Sequence, residues 1–205
     1  MTLNIFYMNS KNIKWIKYCL SILLLLLTRL VDIVFTYQYT PNLSKEGNPL
    51  VVYFNFGWAE ILICQFVGII LISWLLYSHI FNKSNMNPEV NGLSFNSFAL
   101  HQYYGAEYLS ISKKWNVFLD YPKGFQRNKY ILGWVLPQAA IVVGLQLVII
   151  HIFLRENQTF RSNYRIILPW IYVLLVLSVF LCFYLYMRVK FTNYKRANRS
   201  DVQIL

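Results

Sequence analysis

Arg29 and Asp32 stand inside an apolar run, Leu-Leu-Leu-Leu-Leu-Thr-Arg-Leu-Val-Asp-Ile-Val-Phe-Thr, at residues 23–36. If the run is helical, residues three and four apart share a face, so Arg29, Asp32 and Thr36 line up on one side. An Arg or Asp near the centre of a bilayer costs about 2.5–3.5 kcal/mol on insertion scales, so each needs a partner. Three kinds of chemistry answer that need. The plainest, and the favoured one, is an internal salt bridge that holds two helices together. The others are a cation or proton site, and a carboxylate pair acting as acid and base.

A second carboxylate stands at Glu60, and its place depends on where the next span begins. Residues 50–81 would form a helix of about 48 Å against a hydrocarbon core of about 30 Å. If that span starts directly after Pro49, Glu60 lies about 16 Å down, level with Asp32 (about 13 Å below the outer turn) and Arg29 (about 18 Å). If residues 50–57 are an interfacial or re-entrant piece and the span starts at Trp58, Glu60 stays near the surface. A break near Asn55–Gly57 is favoured, because it puts Trp58 in the aromatic belt. Between the two spans lies Glu46-Gly47-Asn48-Pro49, with turn formers, an Asn able to cap a helix and a Pro suited to its first position. Glu46 there gains from the helix macrodipole.

Asp-x-x-x-Thr at the end of one span, then Glu-x-Asn-Pro-Leu opening the next, resembles a family of small uncharacterised prokaryotic membrane proteins, a domain of unknown function. The resemblance covers about residues 28–75. It implies that Asp32, Thr36, Glu46, Asn48 and Pro49 form one outer-side polar cluster, and it implies no activity. Family members are typically shorter, with roughly three spans. The candidate cluster is therefore Arg29, Asp32, Thr36, Glu46, Asn48 and Glu60, with no catalytic residue and no metal ligand among them.

Other chemistry has little footing. His79, His101 and His151 are scattered, without a His-x-x-x-His pairing, and read as interfacial or loop histidines. Cys19, Cys64 and Cys182 fall in spans at unrelated depths and read as packing residues. Nucleophile elbows, phosphate loops and dinucleotide fingerprints are absent, so no cofactor is expected.

The elements that must position the cluster follow from composition. Of 205 residues 57% are hydrophobic and 13% charged, whereas soluble domains carry about 25% charged residues. Four segments can span, at about 16–39, 50 or 58 to 81, 130–154 and 166–187. The expected fold is an all-α, four-span transmembrane bundle forming a single membrane domain over 1–205. With both termini inside, fourteen Lys and Arg residues face the cytoplasm and four face out, which satisfies the positive-inside rule, and the family resemblance implies a bacterial inner membrane. The net charge of +11 then calls for anionic lipid headgroups as partners and not nucleic acid. An N-terminal Leu-rich run without a small-x-small cleavage site reads as a signal anchor.

Within the loop 82–129, residues 94–115 predict an amphipathic helix on the inner membrane surface, carrying Phe95, Phe98, Leu109 and Trp115. Ala140 and Gly144 form a small-x-x-x-small pair that permits close helix approach, and suits assembly with a membrane partner or a second copy. Three functions remain open. The first is a non-enzymatic structural or assembly component, and the second a small cation- or proton-coupled transporter or channel subunit. The third is a membrane enzyme on a lipid-linked substrate.

Overall fold

A computed structural model describes residues 10–43, 48–82, 88, 91–105 and 125–202. These residues are all-helical in their regular structure, with seven helices: α1 (Ser10–Tyr39), α2 (Pro49–Phe54), α3 (Trp58–Phe81), α4 (Phe95–Tyr104), α5 (Phe125–Glu156), α6 (Gln158–Ser162) and α7 (Tyr164–Val202). Helices α1, α3, α5 and α7 are long and apolar enough to cross a membrane, so this is a multi-pass membrane protein. The predicted ends of the last two spans fall short, because α5 begins at Phe125 and α7 continues to Val202. Pro169 consequently lies in the second turn of α7, where it withholds a hydrogen bond from the Arg165 carbonyl.

The break between α2 and α3 falls at Asn55–Gly57. Asn48 caps α2 through its side-chain oxygen, which accepts from the Leu50 amide at 3.0 Å, and Pro49 takes the first helical position. Asn55 closes α2 in the left-handed region at φ 58° and donates its amide back to the Leu50 and Val51 carbonyls. Gly57 is extended and starts α3, with Trp58 donating its indole N–H to the Pro41 carbonyl at 2.7 Å.

Helix α5 is the centre of the bundle and packs on α1, α3 and α7. Two glycines allow this. A Cβ at Gly133 would collide with the Leu75 carbonyl oxygen of α3, and one at Gly144 would lie 2.7 Å from Thr28 Cβ of α1. The two are eleven residues apart, about three turns, so α3 and α1 reach nearly the same stripe of α5 at two levels. Gly144 thus makes the close approach that its spacing from Ala140 predicts. Between α5 and α7, Gln146 donates to the Ser178 hydroxyl at 2.8 Å.

The dense core lies toward the α4 end. Ile131, Val135 and Ala139 of α5 bury against Cys182, Tyr186 and Met187 of α7. Helix α4 adds to it in a way the loop pattern does not suggest. Its Phe98 is fully buried and packs with Phe191 and Tyr194 on the continuation of α7 past the predicted span end. Phe95 and Phe98 of α4 therefore pack on α7. Leu109 and Trp115, expected to extend that helix, lie outside the described residues.

Candidate functional site

The polar residues of α1 face α5 in the half nearer α2. Arg29 reaches across the Gly144 contact and donates to the Ala140 carbonyl oxygen at 3.0 Å. Its other terminal nitrogen stands 4.0 Å from Asp32 Oδ2, an ion pair one helical turn apart but beyond hydrogen-bond length. The second α5 partner is His151. Its Nε2 lies 3.3 Å from Asp32 Oδ1 and 3.3 Å from Thr36 Oγ1. His151 Nδ1 is buried without a hydrogen-bond partner among the described residues, so the proton of the neutral ring belongs on Nε2, where two acceptors stand. Asp32 is 9% exposed, which makes its two cationic or donor neighbours a requirement and not an ornament.

The cluster opens onto a cavity of about 220 Å³ between α1, α3, α5 and α7. Its polar lining includes Arg29, Asp32, Thr36, Asn48, Gln65, His151, Tyr164 and Tyr172, and its apolar walls include Ile33, Ile61 and Leu147. A second cavity of about 280 Å³, between α1 and α3, shares Arg29, Asn48 and Gln65 and continues past Gly68 to Ile72. A third, of about 690 Å³, shares His151 and is lined by Gln38, Arg155 and Glu156. Arg161 folds back here to cap α5, donating to the Leu154 carbonyl at 2.8 Å.

Of the six candidate residues, four meet: Arg29, Asp32, Thr36 and Asn48 line one cavity. Glu60 does not join them. Its carboxylate accepts from the Gly57 amide at 2.9 Å and caps the N-terminus of α3, exposed and favourably placed against the helix dipole. Of the two registers the sequence allows, the structure has the favoured one: the chain breaks before Trp58, and Glu60 caps α3 instead of joining Asp32 and Arg29 in the cluster. Glu46 lies outside the described residues.

His151 and Gln65 are the residues that sequence reasoning passed over. A signal for His151 existed. It falls seven residues after Gly144 and eleven after Ala140, two and three turns along the same stripe of α5. Gln65 is the eighth residue of α3, between Cys64 and Phe66, a lone amide in an apolar span. His79 and His101 lie elsewhere: His79 Nδ1 is 2.8 Å from the Tyr130 carbonyl, and His101 is in α4. No group of three or more His, Cys, Asp or Glu residues converges for a metal among the described residues. Comparison with family models, with curated proteins and with solved structures returns no match to this chain.

Proposed function

We propose that this chain is a non-enzymatic structural or assembly protein of a cytoplasmic membrane, with both termini inside. In this reading the Arg29–Asp32–Thr36–His151 cluster is a fastener that locks α1 onto α5 in the outer half. The observation that carries it is the direction of the contacts. Arg29 to Ala140, Asp32 to His151 and Thr36 to His151 all run between the same two helices. Orientation rests on the basic residues, most of which then meet anionic headgroups inside. Lys129 over Trp74, and Lys190 over Tyr130 with a 2.9 Å bond to its hydroxyl, suit that interface. The family resemblance fits the same outer placement of Asp32, Thr36 and Asn48.

A double-mutant cycle tests the fastener. Asp32→Asn alone removes the charged acceptor facing His151 of α5, and His151→Phe alone removes the donor facing Asp32 of α1; each is expected to cost about 2 kcal/mol. The neutral double variant is expected to cost less than the sum by 1 kcal/mol or more, as measured by unfolding in detergent. Strict additivity would reject the pairing.

A second reading, the outward-facing half of a proton- or cation-coupled carrier, draws support from the cavity the cluster lines. Its counterweight is the apolar core on the other side, where Ile131, Val135 and Ala139 of α5 bury against Cys182 and Met187 of α7. pH-driven flux in liposomes, lost in Asp32→Asn, would favour the carrier. A lipid-linked enzyme has the least support, since Glu60 serves as a cap and Asp32 is engaged by His151.

A further inference from the structure

The fastener leaves much of its hydrogen-bonding capacity unspent. A guanidinium has five N–H donors. Among the described residues Arg29 gives one hydrogen bond, to Ala140, and its nearest carboxylate oxygen is 4.0 Å away. Asp32 turns Oδ1 to His151, while among the described residues Oδ2 has only the distant Arg29 beside it. Gln65 makes no hydrogen bond to any described residue. These three side chains, a cation, a carboxylate and an amide, line one cavity of about 220 Å³.

Polar groups in a membrane span are normally consumed by their neighbours, because nothing in the hydrocarbon replaces a missing partner. Three such groups turned into one cavity define a complementary ligand. Arg29 and Asp32 sum to zero charge. A ligand with net charge would leave an uncompensated charge in a low-dielectric site, whereas one carrying both signs matches the pair.

The geometry points to a binding site for a small zwitterion, an ammonium and an oxyanion a few ångströms apart. The oxyanion takes the remaining Arg29 donors and the Gln65 amide N–H. The ammonium faces Asp32 Oδ2 and the Gln65 carbonyl, and the apolar walls at Ile33, Ile61 and Leu147 receive any side chain. The same chemistry comes from a free amino acid or from the phosphoethanolamine head of a membrane lipid. Binding of either kind is compatible with the fastener, which uses different atoms of Arg29 and Asp32, and it does not depend on transport.

The test uses the full chain in phosphatidylglycerol nanodiscs, with radiolabelled glycine and L-leucine as free probes and phosphatidylethanolamine nanodiscs as the lipid-borne one. A free-ligand site gives saturable binding of one or both amino acids that equimolar ammonium acetate does not displace. A headgroup site gives a higher melting temperature in phosphatidylethanolamine than in phosphatidylglycerol. Gln65→Leu disturbs none of the α1–α5 contacts. It is expected to weaken binding about tenfold, or to abolish the lipid difference, at an unchanged ligand-free melting temperature. Arg29→Gln and Asp32→Asn should weaken it at least as much. The proposal is overturned if neither amino acid binds and the two lipids give equal melting temperatures, or if Gln65→Leu leaves the response intact. The fastener is judged separately, by the ligand-free melting temperatures of the Asp32 and His151 variants.

Discussion

Arg29 makes its firmest bond to a backbone oxygen of another helix and not to the carboxylate one turn away. The cause is reach. A guanidinium on a long stem can cross a helix interface wherever the backbones are close, and Gly144 brings them close by presenting no side chain to Thr28. The cluster therefore hangs on a residue with no side chain of its own. Gly144→Val is expected to cost 1–3 kcal/mol by pushing α1 off α5. A compensating Thr28→Ala should recover part of it, because the clash is with the Thr28 Cβ and Oγ1. Thermal unfolding of the single and double variants in detergent checks both statements.

At the scale of elements, the decisive choices are made at helix ends. Asn55 in the left-handed region and Glu60 bonded to Gly57 stop one helix and start another within three residues of chain. That break sends Glu60 to the surface and leaves Gln65 to face the cavity. At the other end of the bundle, α4 is closed by Gly105 at φ 81°, where Arg127 donates to the His101 carbonyl at 2.8 Å. A Cβ at Gly105 would lie 2.9 Å from the Arg127 guanidinium carbon, so the cap and the glycine require each other.

Burial first, and then the Arg127 charge, hold the His101 imidazole below its usual range. A base whose folded value is lowered takes up fewer protons than the unfolded chain as pH falls below about 6.5. Docking of α4 on α7 is therefore expected to be full at pH 7.5 and to weaken on acidification toward pH 5. His101→Gln should flatten that dependence. Hydrogen exchange of α4 amides, corrected for intrinsic rates, measures it.

The whole molecule divides into a dense half and an open half. Side chains of α5 and α7 interlock from Ile131 to Met187 toward α4, while the half toward α2 holds the charged cluster and three cavities. A cysteine scan should read this asymmetry directly. In a background lacking Cys19, Cys64 and Cys182, Gln65→Cys is expected to react with a membrane-impermeant thiol reagent added on the side that the proposed orientation makes outer. Val135→Cys, at a position 3% exposed, should not react from either side. Equal labelling of the two would remove the distinction between halves.

Composition and apolar run length determine that four helices cross a membrane, because about 20 apolar residues have no other stable place. The Arg29–Asp32–Thr36 face follows from helical spacing alone, and Asn48-Pro49 shows a helix start from residue chemistry. What lay beyond the sequence was which distant groups answer that face. His151 is 115 residues from Thr36, and only the Gly144 approach brings α5 close enough for its imidazole to reach α1. Glu60 was ambiguous for the converse reason. Its depth depends on a single left-handed residue at Asn55, and a local backbone choice of that kind carries no periodic signal. Helical periodicity determined which residues share a side of α1, and tertiary packing decided that their partners would be a histidine and a backbone carbonyl on α5.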